Sequence, residues 1–589
     1  MLPEEFSVIL AVFMALGAWR LAKIQVLTRH MPVIETLGAA TVLCVDKTGT
    51  LTQNQMAVKY LIVGGQSIEV GSANQVSLPP AAGVLLDTAV LASAAAAVDA
   101  MEQALWHCAA TTRPGFAQRH QGWQLQQSYP RSSDLLAVTQ VWVRSGAAHA
   151  VVAVKGAPES VMGLCRLESG EMATQLQHVQ QLAGQGLRLL AVARALHPLP
   201  ASSTHAVTDL PAHVTAFQFS WLGLIAFADP LRPEVAAAVA QCRRAGLRVV
   251  MITGDYPATA QAIALQAGLD AGRLITGAQV ARASDVQLQK MVHDVQIFAR
   301  ILPQQKLRLV QAFKARRDIV AMTGDGINDA PALKAAHIGI SMGQRGTDVA
   351  REASSLVLLK DDFGALVDAL RLGRRIVDNL RKALRYVVGV HVPIAGMALL
   401  PLLAGTPLVM TPALVMFLEM IINPASSIVF EGEQGERDLM QRPPRKPGEH
   451  LFGLRNAMYA LLQGGGLLAG AIATFFIGLQ ASWPHAQIRT AVFVVMVVGN
   501  LGMIIASRSD HASMLALIVQ PNRAQWWVMS ATLAALMAVM MVPWLAGVFG
   551  FARINDTQWG VVLVAALAAL MWLELVKFVF MPRAFLVSS

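Results

Sequence analysis

Long apolar segments follow one another along the carboxyl-terminal part of the chain. Six of them lie near residues 387–407, 409–430, 457–479, 490–507, 526–549 and 559–580. Each has roughly the length that a helix needs to cross about 30 Å of hydrocarbon. Residues 30–375 instead have the mixed polar and apolar pattern of a soluble protein. The pattern therefore predicts a soluble region followed by a bundle of six membrane helices at 387–589.

A shorter apolar run, Phe6–Trp19, lies near the amino terminus. A secretory signal would begin with basic residues, whereas Pro3, Glu4 and Glu5 precede this run. The run is shorter than the roughly 20 residues of a full span. Residues 1–20 are therefore predicted to form part of a transmembrane helix.

Within the soluble region, short apolar runs alternate with helical patterns. Three runs end in polar, glycine-containing turns: Val42–Val45, Leu247–Ile252 and Ile319–Met322. This alternation predicts a Rossmann-like α/β domain, with a parallel sheet and a site at the carboxyl ends of its strands. Between residues 57 and 222 the pattern changes to hairpin-like and helical stretches. These predict an α+β domain inserted into the first.

The same changes of pattern set the expected domain boundaries. Residues 21–56 are expected to form a stalk and the first part of the α/β domain, and residues 223–365 its remainder. The inserted domain occupies 57–222 between them. A second stalk at 366–386 is expected to lead into the membrane bundle.

Composition agrees with a chain that is partly soluble and partly embedded in a membrane. The 589 residues are 54% hydrophobic and 14% charged, and the net charge is +10. Many basic residues lie beside the apolar spans rather than on a soluble face, which argues against nucleic acid as a partner. Basic residues concentrate in alternate loops, at Arg437, Arg442, Arg445, Lys446, Arg455, Arg508, Arg523 and Arg583. Such loops are cytoplasmic, so the soluble region and the carboxyl terminus are predicted to be cytoplasmic. The plasma (inner) membrane is the expected location of the protein.

Two of the predicted strand ends carry groups suited to phosphate chemistry. Asp46 follows the first strand, and a carboxylate in that turn can attack a phosphoryl group to form an aspartyl phosphate. Thr253 and Gly254 follow the second strand. A hydroxyl and a close backbone approach there can hold phosphate oxygens.

The third strand end carries Asp325 and Asp329, four residues apart. If the chain turns helical there, both carboxylates face one side and can hold Mg²⁺ together with Asp46. Lys306 precedes this strand and could neutralise a transferred phosphoryl group. Positioning and charge neutralisation are most of what phosphoryl transfer requires. An isolated Asp-Gly pair is usually only a turn, but three such sites in order favour chemistry.

These motifs resemble those of a known family. Asp46-Lys-Thr-Gly-Thr-Leu-Thr52 resembles the phosphorylation signature of the P-type ATPases, members of the haloacid dehalogenase-like superfamily. The resemblance extends over essentially the whole chain, through Lys155-Gly-Ala-Pro-Glu159, Asp229-Pro-Leu-Arg232, Thr253-Gly-Asp255 and Thr323-Gly-Asp-Gly-Ile-Asn-Asp-Ala-Pro331. Arg442-Pro-Pro-Arg445 and the six spans resemble the type II branch, which includes calcium and sodium/potassium pumps.

The resemblance implies roles for the motif residues, with ATP and Mg²⁺ as cofactors. Asp46 would be the phosphorylated nucleophile, and Asp325 and the Thr48 carbonyl would complete the coordination of Mg²⁺. The remaining expected catalytic residues are Lys47, Thr253, Gly254, Asp255, Lys306, Asn328 and Asp329.

The resemblance also implies ATP contacts in the inserted domain. They are expected from Glu102, Lys155, Gly156 and Arg188. The family usually stacks adenine on a phenylalanine, and the best match in this chain is Tyr129. The ring of Tyr129 or the guanidinium plane of Arg131 could stack there instead.

Ionisable groups inside a bilayer are costly and indicate function. Glu4 and Glu5 lie in Pro-Glu-Glu-Phe-Ser, which resembles the family's proline break in the fourth transmembrane helix. His391 in the next span, and Glu419 and Asn423 one turn apart in the span after it, could complete one cation site. Interhelical hydrogen bonding is the alternative role for His391 and Asn423. Oxygen ligands suit a hard transported cation such as Ca²⁺, with Mn²⁺ or Mg²⁺ as alternatives.

The family's actuator domain carries a Thr-Gly-Glu loop that positions water for dephosphorylation, and no Thr-Gly-Glu occurs in these 589 residues. The chain is therefore expected to be a fragment, or to act with a separate N-terminal polypeptide that carries the actuator domain. The alternative function is a non-transporting, nucleotide-binding membrane protein that regulates a partner.

Overall fold

The computed structural model describes residues 5–53, 55–70, 78–94, 99–113, 115, 122–132, 135–144, 147–199, 210–445 and 451–580. These residues include fifteen strands: β1 (Val26–Thr28), β2 (Val42–Asp46), β3 (Ala57–Val63), β4 (Gln66–Glu69), β5 (Trp123–Tyr129), β6 (Ala137–Arg144), β7 (His149–Gly156), β8 (Arg188–Pro198), β9 (Ser220–Ala228), β10 (Arg248–Ile252), β11 (Leu274–Thr276), β12 (Ile297–Ala299), β13 (Val320–Gly324), β14 (Ile338–Met342) and β15 (Leu356–Leu358).

Eight strands form the first sheet, in the order β1-β15-β14-β13-β2-β10-β12-β11. All neighbours are parallel except β1 and β15. The three apolar runs of the sequence became β2, β10 and β13, which lie side by side. Their residues are almost all buried, as expected of a parallel sheet covered on both faces. The predicted α/β domain is confirmed, and its three motif-bearing strand ends lie at one edge.

Helices cover this sheet and follow its strands. They are Val33–Gly38, Val235–Arg244, Pro257–Gln266, Gly277–Arg282, Asp285–Met291, Pro303–Ala315, Ala330–Ala335 and Asp348–Ala353. A short 3-10 turn, Ile327–Asp329, precedes the seventh of them.

The second sheet has seven antiparallel strands in the order β4-β3-β9-β8-β7-β6-β5. Its helices are Pro80–Leu91, Ala100–Thr112, Pro158–Cys165 and Ser169–Ala183. The boundary predicted at residue 222 is wrong, because it falls inside β9. Residues of β9 are buried and paired with β3 and β8 as far as Ala228. The two connections to the first domain then run side by side, with a bridge between Thr52 and Leu231.

Within the described residues, seven helices are long and apolar enough to cross a membrane. They are Glu5–Lys23, Phe363–Leu403, Pro412–Gly432, Leu454–Gln480, His485–Ser507, Arg523–Met541 and Asp556–Phe580. His485–Ser507 is the central helix, since 94% of its apolar window is buried against 22–50% for the others. The protein is an integral membrane protein.

Three predicted boundaries in the membrane region are wrong. The first helix continues past residue 20 to Lys23, because Leu21 is buried and continues its apolar face. The boundaries at 365 and 386 fall inside one helix of 41 residues, Phe363–Leu403. No proline interrupts it before Pro393, so nothing breaks the helix where the predicted stalk meets the predicted span.

Two spans are less regular than the apolar pattern indicated. Pro412–Gly432 contains a π-helical segment, Ala425–Val429, directly after Pro424. The predicted span 526–549 is divided into Arg523–Met541 and the short helix Pro543–Phe549. A proline lacks the N–H that would continue the helical hydrogen bonding, which explains both changes. Another short helix, Met514–Val519, lies in the preceding loop.

Candidate phosphorylation site, nucleotide cavity and membrane cluster

Asp46 is the last residue of β2, between the ends of β10 and β13. Its backbone N–H donates to the hydroxyl of Thr323 on β13, over 3.1 Å. Burial raises the pKa of the Asp46 carboxyl, and the positive charge of Lys306 opposes that rise. The carboxyl group is thus held at the edge where the three motif-bearing strands meet.

Lys306 joins the first and third motifs. Its Nζ donates to Asp46 Oδ2 and to Asp329 Oδ1, each over 2.6 Å, and its side chain is only 10% exposed. Burial lowers the pKa of Lys306, but the carboxylates of Asp46 and Asp329 outweigh burial, so the net pKa is raised. The ammonium group is therefore a fixed positive charge beside the candidate nucleophile.

The donor set at this edge fits Mg²⁺. One carboxylate oxygen from each of Asp46, Asp325 and Asp329 lies within 4.8 Å of the others. Asp329 is already engaged, because its Oδ2 accepts the backbone N–H groups of Asp325 and Gly326. Asp46 and Asp325 remain as the ligands that would hold the ion, and hard oxygen ligands are what Mg²⁺ prefers.

The turn after Asp46 is shaped around Asp325. Gly49 has φ +75°, and a Cβ at this position would lie 2.6 Å from Asp325 Oδ2. Only glycine satisfies both the backbone angle and the close approach. Thr48 precedes it with extended backbone angles, φ −73° and ψ 129°.

Lys47 points away from the carboxylates around Lys306. Its buried Nζ lies 2.7 Å from Asp255 Oδ2 and 3.9 Å from Asp229 Oδ2. Thr52 also donates to Asp229 Oδ2. Lys47 thereby ties the first motif to the second and to the connection from the inserted domain. We assign it a positioning role rather than contact with the transferred group.

The remaining predicted phosphate-binding residues lie along the same edge. Thr253 is buried, and its Oγ1 accepts the backbone N–H of Asp255 over 3.1 Å, which leaves the hydroxyl hydrogen for a ligand. Gly254 is exposed beside it, and Asn328 is exposed on the 3-10 turn.

A cavity of about 430 Å³ lies between the two domains. Five predicted ATP-contact residues line it: Glu102, Arg131, Lys155, Gly156 and Arg188. Gly254 and Asp255 of the second motif line its other side. The cavity therefore extends from the inserted domain to the strand edge that carries Asp46.

Lys155 is a buried charge in the wall of this cavity. Its Nζ donates to Glu102 Oε1 and to Ser93 Oγ, each over 2.6 Å. Burial lowers the pKa of Lys155, and the carboxylate of Glu102 partly offsets this. Gly156 follows where strands approach closely, since a Cβ there would lie 2.4 Å from the Leu136 carbonyl oxygen. Glycine keeps Lys155 against its neighbours without strain.

Three ionisable residues meet between the membrane helices. His391 Nε2 lies 3.7 Å from Glu5 Oε1 and 3.6 Å from Glu419 Oε1. One ligand atom from each of the three residues lies within 4.8 Å of the others. This group, Glu5, His391 and Glu419, is called the membrane cluster below.

Comparisons with known proteins agree with both regions. A family model described as haloacid dehalogenase-like hydrolase matches residues 40–337, and one described as cation transporting ATPase, C-terminus, matches residues 407–579. A calcium-transporting ATPase of Bacillus subtilis is 32% identical over 95% of this chain and 66% of its own length. A probable cation-transporting ATPase F of Mycobacterium tuberculosis is 34% identical over 95% of this chain and 65% of its own length. The chain belongs to the P-type ATPases, within the haloacid dehalogenase-like hydrolases. It spans about two thirds of the length of these relatives, 66% and 65%.

Two predicted ligands of this P-type ATPase, Tyr129 and Asn423, have surroundings that the sequence did not indicate. Tyr129 is absent from the described lining of the cavity, because its ring packs edge-on against Phe217 and its hydroxyl donates to the Pro211 carbonyl. Asn423 is exposed, whereas Glu419, one helical turn earlier, is partly buried. Residues four apart on a helix share a face only approximately, which accounts for this difference in exposure. Glu4 lies outside the described residues.

Sequence reasoning also missed residues of the cavity. Arg300 and Tyr256 line it, with the guanidinium of Arg300 5.3 Å from the Tyr256 ring centroid. Arg300 also lies 3.6 Å from Glu159 of the inserted domain. It follows β12, whose three residues were too short to recognise as a strand. Functional groups lie at the carboxyl ends of parallel strands, so recognition of β12 would have indicated Arg300 as that of β2 indicated Asp46.

The cavity leads to a prediction about ATP affinity. Lys155→Met should weaken ATP binding at least about tenfold, because it removes a buried cation and leaves Glu102 uncompensated. Tyr129→Leu is the control and should change the Kd for ATP by no more than about twofold, although it loses packing against Phe217. Calorimetric titration of the purified protein with ATP measures both. Equal weakening by the two changes would contradict the assignment of this cavity.

The Mg²⁺ site leads to a prediction about pH. Burial, with the charges of Asp46 and Asp329, raises the pKa of Asp325 to about 6. Protonation competes with metal, so apparent Mg²⁺ affinity should fall by up to about tenfold per pH unit below that pKa. Without Mg²⁺, the free energy of unfolding should change in the opposite sense and fall as the pH rises. The raised pKa of Asp325 stabilises the folded state fully below about pH 4, the pKa of an unfolded aspartate. This contribution is lost as the pH rises through the folded pKa.

Titration of the chain with Mg²⁺ between pH 5 and pH 8 measures the first effect. Asp325→Asn is the matched variant, since its amide stands for the protonated acid. It should abolish most of the pH dependence and raise the metal-free unfolding temperature at pH 8. A wild-type Mg²⁺ affinity that does not change across this range would contradict the prediction.

Proposed function

We propose that this P-type ATPase transfers the γ-phosphoryl group of ATP to Asp46 and uses the aspartyl phosphate to drive transport of a hard divalent cation. Ca²⁺ is the first candidate, with Mn²⁺ or Mg²⁺ as alternatives. The observation that carries the proposal is Lys306, which bridges Asp46 and Asp329 at the same strand edge as Gly254 and Asp255, two residues that line the nucleotide cavity. A nucleophile, a fixed cation and a route for ATP are thus in one place.

The transfer follows from the positions of these groups. A carboxylate oxygen of Asp46 attacks the γ-phosphorus, the bond from that phosphorus to the bridging oxygen breaks, and ADP leaves with the bonding electrons. Lys306 and the backbone around Thr253 and Gly254 are placed to hold the phosphoryl oxygens. When bound, Mg²⁺ supplies further neutralisation of phosphate charge at Asp46 and Asp325. Lys155 holds the nucleotide within the cavity.

The membrane arrangement supports transport rather than nucleotide binding alone. The membrane cluster places two acids and a histidine between apolar helices, where ionisable groups mark ion pathways. Basic residues such as Arg437 and Arg442 favour a cytoplasmic position for the loop after Gly432 and for the catalytic domains. A position in the plasma (inner) membrane stays a prediction. It stays a prediction that a separate polypeptide supplies the actuator domain.

The test is labelling of the full chain in membranes with γ-labelled ATP and Mg²⁺. We expect an acid-stable label that hydroxylamine releases, because hydroxylamine cleaves acyl phosphates. Labelling should also depend on the transported cation. ATP binding without any such label would instead favour the alternative, a nucleotide-binding membrane protein that regulates a partner.

A further inference from the structure

The membrane cluster contains a carboxylate oxygen that lacks a hydrogen-bond partner among the described residues. The Glu5 side chain is only 10% exposed, and its Oε2 is buried with no hydrogen-bond partner among the residues that the structure describes. A buried, unsatisfied carboxylate oxygen in a membrane helix is costly. The cost is removed when a cation binds between Glu5 and the other members of the cluster.

The histidine ring is oriented by its own helix. His391 Nδ1 lies 2.8 Å from the Val387 carbonyl oxygen. Because a carbonyl can only accept, Nδ1 carries the hydrogen of this bond. In the neutral ring the other nitrogen, Nε2, therefore faces Glu5 and Glu419 with its lone pair. Metal-binding histidines are typically held in this way, with the second ring nitrogen bonded to a carbonyl.

The distances within the cluster fit a shared ion better than direct hydrogen bonds. An N–H donor lies about 2.7–3.2 Å from its acceptor, but Nε2 is 3.7 Å from Glu5 Oε1 and 3.6 Å from Glu419 Oε1. Neighbouring octahedral ligands bound about 2.0–2.6 Å from one divalent cation are roughly 2.8–3.7 Å apart. The three groups are spaced as ligands around a common centre.

We infer that His391 is a ligand of the transported cation and makes the membrane cluster select Mn²⁺ or another first-row transition cation over Ca²⁺. Ca²⁺ and Mg²⁺ take oxygen ligands. Imidazole favours transition metals, and Mn²⁺ also accepts carboxylates. The inference rests on the proposed function and reverses its order of candidates, since a ring nitrogen replaces one oxygen in the site.

The experiment uses the full chain in lipid nanodiscs, with Mn²⁺ as the probe and no nucleotide. Electron spin-echo spectra of bound Mn²⁺ should show modulation from an imidazole nitrogen. The site at Asp46 and Asp325 offers only carboxylates, so Mn²⁺ bound there adds no such signal. Competition with Ca²⁺ measures selectivity, and we expect a preference for Mn²⁺ of at least about tenfold.

Two variants separate coordination from packing. His391→Asn keeps an N–H that can reach the Val387 carbonyl but removes the ligand atom, so it should lose the nitrogen signal and bind both cations weakly. His391→Gln places an amide oxygen near Nε2 and should shift the preference toward Ca²⁺ by at least about tenfold. ATP should protect both variants from thermal unfolding as it protects the wild type, which shows that the cytoplasmic domains are folded.

A wild type without nitrogen modulation would overturn the inference, and so would a Ca²⁺ preference that His391→Gln leaves unchanged. Either result is expected if His391 is a permanent imidazolium that neutralises the two acids. Failure here is distinguishable from failure of the proposed function. A hydroxylamine-sensitive label with unaltered cation preference in His391→Gln sinks only the inference, whereas absence of the label under all metals sinks the proposed function.

Discussion

Replacement of Asp46 by asparagine is expected to abolish the hydroxylamine-sensitive label from ATP. The amide cannot act as the nucleophile, and no other described carboxylate has the same position at the end of β2 beside Lys306. Asp329 also contacts Lys306, but its second oxygen accepts two backbone N–H groups. Labelling should fall to background while ATP affinity stays within about twofold, because Lys155 and Glu102 are unchanged.

Asp348→Asn is the matched control for this variant. Asp348 lies in the same domain with its side chain 90% exposed, so its replacement should leave labelling intact. The unfolding temperature of Asp46→Asn should not fall below that of the wild type at pH 7, because burial disfavours the charged form of Asp46. A label that survives in Asp46→Asn would falsify the assignment of the nucleophile.

Lys306→Met is expected to have the second-largest effect, on both chemistry and stability. The change keeps the unbranched stem of the side chain and removes the only charge that bridges Asp46 and Asp329 within the described residues. Loss of a pre-positioned charge from a transition state costs about 10²–10³ in rate. Leaving buried carboxylates without their partner costs about 3–5 kcal/mol of unfolding free energy.

The pH dependence of this loss has a definite sign. Without Lys306 the pKa of Asp46 and Asp325 rises further, since its positive charge lowers both. Protonation relieves the repulsion, so the variant should be less impaired in stability at pH 5 than at pH 8. Denaturant unfolding at the two pH values measures this, and rapid-quench labelling measures the rate.

Lys314→Met is the control for Lys306→Met, because it lies on the same helix, Pro303–Ala315, but is exposed. It should cost about 0.5 kcal/mol or less. If the two variants behave alike, the stabilising role of Lys306 is wrong.

The long helix Phe363–Leu403 connects the two candidate sites. It begins shortly after β15 of the first sheet and carries His391 in the membrane. From Phe363 to His391 it rises about 42 Å at 1.5 Å per residue. Arg374 on this helix donates to the carbonyl groups of Ala245, beside the sheet, and Arg442, in the loop between spans. A rearrangement at the candidate phosphorylation site therefore has a continuous structural connection to the membrane cluster.

The sequence by itself determined the strand ends that carry the chemistry. Val42–Val45 and Ile319–Met322 are continuous apolar runs that end at polar glycine turns, so their burial and their termination are local properties. Parallel strands place their carboxyl ends at one edge, and Asp46 and Asp325 follow from that rule alone. The spans were equally readable, because a bilayer demands long apolar segments wherever they fall.

Only the tertiary structure decided which way individual side chains point. Tyr129 packs against Phe217, and Lys47 forms an ion pair with Asp255. Both partners are distant in sequence, so no local pattern indicates them. Asn423 lies on the same helix as Glu419 but is more exposed. The boundary at residue 222 failed for the same reason, since the length of β9 depends on pairing with β3 and β8. Periodicity is a property of a segment, whereas contact and pairing depend on the elements packed against it.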